Sequence, residues 1–221
     1  MNKWFNLDSP IMAGLSRMAD LAILSLLWFV CCLPIITIGA STTAMYYVAL
    51  KLVREEGEEK ITTMFFQAFR SNFKQATALN IISLVIGVVL SLDCWIMLHS
   101  EGTTATFCAA VFFVMLVWLL CIMFYVYPMQ AQFYNTIKQT LINAALLSMR
   151  KFPITVIVFV LNMLPVILAF ISLPLVIRTA PVWVLLAPGL VAYANAKLFA
   201  KMFDPFLKAA KEQEGQASSE E

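Results

Sequence analysis

Five long stretches of this chain contain no Asp, Glu, Lys, Arg or His, and all five are mainly apolar. A helix needs roughly 20 such residues to cross the hydrocarbon core of a bilayer. The stretches cover residues 21–50, 75–92, 102–137, 152–177 and 179–196. Charged residues make up only 13% of the 221 residues, about half of what a soluble domain usually carries. These features exclude a soluble enzyme and a disordered chain.

The charge balance narrows the class of partners. The net charge is +2 and no basic face is evident, so the sequence predicts no nucleic acid or other polyanionic partner. The lipid bilayer is the predicted partner. We therefore expect an all-α integral membrane protein, a polytopic bundle of membrane helices.

The first apolar stretch is longer than one membrane helix needs and barely long enough for two. Pro34 and Gly39 lie in its middle, and proline breaks the helical hydrogen-bond ladder. A helix over 10–33 and a returning helix over 41–54 are therefore predicted, joined as a broken hairpin. The polar residues that can satisfy the freed backbone groups are Thr37, Ser41 and Thr42. One long tilted helix is the alternative.

The predicted bundle has about six membrane helices, at 10–33, 41–54, 76–98, 104–128, 154–173 and 181–200. Lys and Arg concentrate on the cytoplasmic side of membrane proteins. With six helices only Arg178 of the 15 basic residues lies outside, whereas with five spans Lys3 and Arg17 lie outside too. We therefore expect a multi-pass protein of the cell membrane with both termini cytoplasmic.

Two amphipathic segments separate the predicted spans. Phenylalanines recur at helical spacing within 61–73, and a second apolar stripe runs through 130–148. Each segment is predicted to be a helix lying in the membrane interface. The chain is interpreted as a single membrane domain, residues 1–211, followed by a polar tail, 212–221, that is predicted to be disordered.

Several polar residues lie within the predicted spans. The densest cluster of small residues at membrane depth is Thr37, Gly39, Ser41, Thr42 and Thr43. It either lines a cavity at a broken helix or forms a tight turn. The in-span carboxamides of Asn80, Asn162 and Asn195 either bond a neighbouring helix or form part of a polar pathway. Arg17 and Asp20 are three residues apart and are predicted to pair on one helix face.

One short predicted outer loop carries Asp93, His99 and Glu101, which could hold a cation or relay a proton. The alternative is that Asp93 is a solvated residue at a helix end. The five cysteines form no Cys-x-x-Cys pair, and no phosphate-binding loop, His-Glu-x-x-His or Gly-x-Ser-x-Gly motif occurs. The sequence therefore predicts no enzyme, no catalytic residue, no metal and no cofactor.

Four segments resemble one bacterial membrane family, the YesL-like family. They are residues 5–10 (FNLDSP), 28–40 (WFVCCLPIITIGA), 44–47 (AMYY) and 65–76 (FFQAFRSNFKQA). The close resemblance covers roughly residues 4–76. The family's domain has no established biochemical function, and its genes are often found beside those for carbohydrate ABC transporters and glycan-degrading enzymes. The resemblance implies a link to sugar uptake, and the family has been described as a permease.

Three functions follow as hypotheses. The first is a non-enzymatic accessory or permease component that binds a carbohydrate ABC transporter or a sensor in the membrane. The second is an independent small-solute transporter or channel that acts as a homo-oligomer. The third, which has the least support, is a membrane enzyme with the outer-loop Asp93, His99 and Glu101 as its site.

Overall fold

The computed structural model describes residues 10–56 and 59–220, and within these ranges it contains helices and no strand. A single 3₁₀ turn, Ile35–Thr37, lies between the first two helices. The helices are α1 (Pro10–Cys32), α2 (Ile38–Arg54), α3 (Ile61–Leu98), α4 (Thr103–Gln132), α5 (Ile137–Arg150), α6 (Phe152–Ile171), α7 (Leu173–Arg178) and α8 (Ala180–Glu220). The predicted all-α class is confirmed.

Five helices are long and apolar enough to cross a membrane, namely α1, α2, α3, α4 and α8. Helices α5 and α6 form a pair bent by 103° that supplies a sixth candidate. Large apolar side chains cover the outside of the bundle; on α3, for example, Val85 and Leu92 are each 54% exposed. A continuous apolar surface of this kind is favourable against lipid and unfavourable in water. The chain is an integral membrane protein.

The predicted broken hairpin is confirmed. Helix α1 ends at Cys32 because Pro34, which is extended at φ −77° and ψ 122°, cannot continue the ladder. After the 3₁₀ turn, α2 begins at Ile38, slightly before the predicted start at residue 41. Ser41 and Thr42 therefore lie in the first turns of α2 and do not cap it.

Helix α2 forms the centre of the bundle, with Ala44, Val48 and Ala49 fully buried. It ends at Arg54, where Glu55 takes a left-handed conformation and Glu56 N donates to the Lys51 carbonyl at 3.1 Å. We call this region, with Arg17, Lys51 and Arg54, the basic end of the bundle.

Arg17 ties the start of α1 to this end of α2. Its guanidinium donates to the Leu52 carbonyl at 3.0 Å and to the Tyr193 hydroxyl at 3.1 Å. Its ion pair, at 2.9 Å, is with Glu55 and not with Asp20 as the spacing had predicted. The fold brings Glu55 to Arg17 across 38 positions of sequence.

The segment 61–73 is not the separate interfacial helix that its phenylalanine spacing predicts. It is the first part of α3, which runs unbroken for 38 residues, or about 57 Å. No proline or glycine occurs between Ile61 and Ile86, so nothing in the backbone ends the helix there. Phe65 faces the core and is fully buried, stacked on Phe69 with ring centroids 6.2 Å apart.

The second predicted amphipathic segment is a separate helix, α5. It begins with a capping box in which Thr136 and Gln139 bond each other's backbone nitrogens. Thr140, Ala144 and Ser148, four residues apart, form its buried face. At the other end of the chain, α8 continues as a helix to Glu220, where the composition had predicted a disordered tail. The Ala-, Lys- and Glu-rich residues after 207 favour continuing a helix that has already begun.

Candidate functional site

The seam between α2 and α3 is closed by Gly39. A Cβ at this position would press on the Ala76 carbonyl oxygen and would lie 2.8 Å from Asn80 Cβ. Only glycine lets the two backbones approach this closely. The predicted importance of Gly39 therefore has a structural basis in helix packing.

Asn80 joins three elements beside this seam. Its Nδ2 donates to the Ile35 carbonyl in the 3₁₀ turn at 3.2 Å, and its Oδ1 accepts from the Tyr127 hydroxyl of α4 at 3.1 Å. The carboxamide thus fixes both the turn and the Tyr127 ring.

The polar residues of the turn differ in their roles. Thr37 Oγ1 lies 2.6 Å from the Cys31 carbonyl and 2.7 Å from that of Pro34, so its hydroxyl serves carbonyl groups at the break as predicted. Thr42 Oγ1 instead accepts from the indole nitrogen of Trp28 at 3.1 Å. Ser41 Oγ is buried without a hydrogen bond of ordinary geometry and has the Cys32 thiol as its polar neighbour. The prediction that Ser41 satisfies freed backbone groups is wrong.

A cavity of about 420 Å³ lies between α1, α2, α4, α6 and α8, beside the broken hairpin. Thr42 and Asn162 contribute a hydroxyl and a carboxamide to its wall, and its described lining carries no charged side chain. The aromatic residues that line it are Trp28, Tyr46, Phe124, Tyr127 and Trp183. The described lining is therefore uncharged and mainly apolar, rich in aromatic rings, with a few polar groups.

The polar groups of three of the lining rings are hydrogen-bonded to other residues of the protein. Trp28 is held by Thr42 and Tyr127 by Asn80, as described above. The indole nitrogen of Trp183 donates to Thr179 Oγ1 at 2.9 Å. These bonds fix the rings, so a solute could contact them without first ordering them.

Asn195 lies behind Tyr46 and is fully buried. Its Nδ2 donates to the Tyr46 hydroxyl at 3.1 Å, while its Oδ1 has no hydrogen-bond partner among the described residues. Buried carboxamide oxygens are usually paired. The Asn195 oxygen is an exception, and it is enclosed within the bundle and not exposed to the cavity.

The structure gathers most of the predicted polar residues around this cavity. Thr42 and Asn162 line it, and Asn80 and Asn195 hold its tyrosines, whereas the turn from Pro34 to Gly39 contributes no residue to its described lining. The sequence does not identify its aromatic rings as a group, because they come from four helices and share no periodic spacing.

Asp93 is not part of this arrangement. Asp93 lies near the far end of α3. His99 follows that helix, and its Nδ1 is within hydrogen-bond distance, 2.8 Å, of the Trp95 carbonyl oxygen. Within residues 10–56 and 59–220, no three His, Cys, Asp or Glu side chains converge as metal ligands would. The predicted outer group of Asp93, His99 and Glu101 does not form a cation site there.

Comparison with known proteins adds one observation. Residues 21–94 match a family described as a protein of unknown function, DUF624. The matched residues run from within α1 through the broken hairpin into the far half of α3. They include Gly39, Ala76 and Asn80. It overlaps the segments that resemble the YesL-like family. No curated protein and no solved structure matches the chain.

Proposed function

We propose that the protein is a non-enzymatic, solute-binding component of the cell membrane that serves carbohydrate uptake. The cavity beside the broken hairpin carries this proposal. A sugar ring has apolar C–H faces and hydroxyl edges, and the negative face of an aromatic ring attracts polarised C–H groups. Fixed rings with the Thr42 hydroxyl and the Asn162 carboxamide suit such a solute.

The size of the cavity supports a small ligand. A volume of about 420 Å³ lies within the range of about 300–1,000 Å³ found for pockets that bind small molecules. The absence of charge from its described lining favours a neutral sugar over a sugar acid. The resemblance to the YesL-like family supports a role beside a carbohydrate ABC transporter or a sensor, as an accessory or permease component.

The distribution of basic residues supports an orientation. The basic end of the bundle faces the cytoplasm in this proposal, with both chain termini on the same side. The turn at Ile35–Thr37 then lies within the membrane or near its outer face.

Sugar binding can be tested on the full chain in nanodiscs. Trp28 and Trp183 line the cavity, so tryptophan fluorescence reports on its occupancy. Titration with a panel of neutral mono- and disaccharides should give a saturable change for at least one sugar. Asn162→Leu should weaken that binding about tenfold or more, the loss expected when one hydrogen bond is replaced by an unpaired contact.

The matched control is Asn143→Leu, the same substitution on the exposed face of α5 outside the cavity. It should leave the sugar affinity unchanged. Both variants should melt near the temperature of the parent protein. If no sugar binds, or if both variants lose binding equally, the cavity is not the sugar site.

A second candidate is independent transport. Broken helices with free backbone groups beside a cavity are typical of transporter substrate sites, and the helices on either side of the Pro34 break, α1 and α2, contribute Trp28 and Thr42 to the cavity wall. Uptake of the bound sugar into vesicles containing only this protein, as a monomer or homo-oligomer, would support transport by the chain itself. Uptake that requires an added ABC transporter would support the accessory role.

A further inference from the structure

A groove of about 850 Å³ runs along one side of the hairpin that α3 and α4 form. Residues of α3 from Asn80 to Leu92 make one wall, and residues of α4 from Phe113 to Tyr127 make the other. The groove opens to the outside of the bundle, since Leu84 is 48% exposed and Phe113 is 60% exposed. It spans about 18 Å along α3, which is comparable with one leaflet of a hydrocarbon core about 30 Å thick.

The lining of the groove suits an apolar chain. Helix α3 has no charged residue between Lys74 and Asp93, and α4 has none along its whole length. The hydroxyl groups of Ser83 and Ser91 donate to carbonyls four residues earlier on α3, at 2.8 and 2.6 Å, so both already serve their own helix. A polar solute would find few free partners in this groove, whereas an apolar chain needs none.

The groove meets the aromatic cavity at two residues of α4. Phe124 and Tyr127 line both spaces. They continue the row of groove residues Phe113, Leu116 and Leu120, which recur at the three- and four-residue spacing of one helix face. The cavity therefore lies at one end of the groove, on the same side of α4.

The boundary between the two spaces consists of these two rings. Asn80 lines the groove, and its Oδ1 accepts the hydrogen bond of the Tyr127 hydroxyl. Phe124 packs edge-on against Phe159 of α6, with ring centroids 6.2 Å apart. A ligand that occupies both spaces would pass beside the Phe124 and Tyr127 rings.

The order of polar and apolar parts along this combined site matches that of a membrane lipid. Asn80, at the cavity end of the groove, follows Lys74 by six positions, about 9 Å along α3. Leu92, at the other end, lies beyond it in the uncharged part of the helix. In the proposed orientation Lys74 lies toward the cytoplasm. A lipid of the cytoplasmic leaflet has its head on that side and extends its chain toward the bilayer centre.

We infer that the combined site binds a neutral glycolipid, a sugar joined to an apolar chain. The sugar lies in the aromatic cavity, to which Thr42 and Asn162 contribute polar groups, and the chain lies in the groove. Neither described lining carries a charged side chain, which favours an uncharged head. This inference rests on the proposed sugar cavity and specifies the ligand of that cavity.

The test compares short-chain and long-chain glycosides of the same sugar, on the full chain in phosphatidylcholine nanodiscs. The probes are methyl and octyl β-glucoside and methyl and octyl β-maltoside. The fluorescence of Trp28 and Trp183 in the cavity reports binding. For at least one sugar both glycosides should bind, and Asn162→Leu should weaken both about tenfold or more. The octyl glycoside should bind more tightly, because the bound sugar makes the contact of the chain intramolecular.

The octyl chain also partitions into lipid, so variants are compared at one lipid concentration. Gly87→Phe fills the middle of the groove, and a Cβ there meets only Leu119 Cδ2 at 3.7 Å. This variant should weaken octyl glycoside binding about tenfold or more and leave methyl glycoside binding unchanged. Leu120→Trp, on the opposite wall, blocks the groove independently and should give the same result. The matched control is Val85→Phe, since Val85 is 54% exposed on α3 and lies outside the described lining.

Val85→Phe should bind both glycosides as the parent protein does, and all variants should melt near the parent temperature. The inference is overturned if both groove variants bind the octyl glycoside as Val85→Phe does. It is also overturned if Asn162→Leu weakens binding of the methyl glycoside and not of the octyl glycoside, since the chain would then bind without its head in the cavity. Either result with intact methyl glycoside binding leaves the proposed sugar site standing. If no glycoside of either length binds the folded protein, the proposed function fails together with this inference.

Discussion

The backbone nitrogen of Gly189 donates a hydrogen bond of 2.8 Å to the hydroxyl of Ser25. The same hydroxyl donates to the Leu21 carbonyl at 2.8 Å within α1. A Cβ at position 189 would press on that carbonyl oxygen. Helices α1 and α8 therefore meet backbone to backbone beside Pro188, where the α8 ladder is interrupted, and Ser25 supplies an acceptor there.

Ser25→Ala should destabilise the protein. It leaves the buried Gly189 nitrogen without its acceptor, at a cost of about 1–3 kcal/mol. The midpoint of thermal unfolding in detergent, followed with a thiol-reactive dye, measures the effect. The control is Ser91→Ala, since the exposed Ser91 hydroxyl only bonds the Gly87 carbonyl of its own helix. Equal midpoints for the two variants would contradict this role of Ser25.

Gly39→Val should accumulate in membranes far less than Gly87→Val. A side chain at 39 collides with the α3 backbone, whereas a Cβ at 87 meets only Leu119 Cδ2 at 3.7 Å. Overpacking costs about 1–3 kcal/mol where side chains can shift, and the Ala76 carbonyl cannot shift without moving α3. Immunoblots of membrane fractions give the comparison. If both variants accumulate alike, the close packing of α2 on α3 is not required.

Tyr46 and Asn195 should be strongly coupled. Tyr46→Phe strands the Asn195 Nδ2 donor, and Asn195→Leu strands the Tyr46 hydroxyl, each at a cost of about 1–3 kcal/mol. The double variant removes both groups, together with the unpaired Asn195 oxygen. Its loss of unfolding free energy should therefore be smaller than the sum of the losses in the two single variants. A double-mutant cycle on unfolding midpoints tests this. Additive costs would mean that the bond contributes nothing.

Both chain ends should lie in the cytoplasm. A fluorescent reporter that matures only in the cytoplasm should be active when fused after Glu221. A cysteine placed before Lys3 should resist impermeant thiol reagents in intact cells, because the basic residues near both ends favour the inner face. Labelling of that cysteine would instead support five spans.

The parts of the fold that local chemistry determines could be predicted from the sequence. Pro34 and Gly39 within one apolar stretch predicted the broken hairpin, although proline alone does not end a helix in this protein, since Pro128 and Pro188 lie inside α4 and α8. The continuity of α3 was not, because Arg70 and Lys74 suggest a boundary although charged residues do not end a helix. Ser41 shows the same limit: its hydroxyl could serve the backbone, but its position within α2 turns it away.

The aromatic cavity depends on residues that only the tertiary structure brings together. Thr42 and Asn162 were identifiable because a hydroxyl and a carboxamide are unusual among apolar neighbours. Trp28 and Trp183 are 155 positions apart and look like ordinary membrane residues. Their pairing around one space depends on the contact of α1 with α8 at Gly189, which no spacing in the sequence reveals.

Because α3 is one unbroken helix of 38 residues, a change in its tilt displaces its far end. Its first part lines a pocket at the basic end of the bundle, Ala76 packs closely against Gly39, and the segment from Ala76 to Leu98 is about 33 Å long. A tilt of about 10° at this contact would carry the far tip sideways by about 6 Å over a segment of that length. A tilt of α3 that starts at the basic end would therefore produce a larger displacement at the opposite end of the helix.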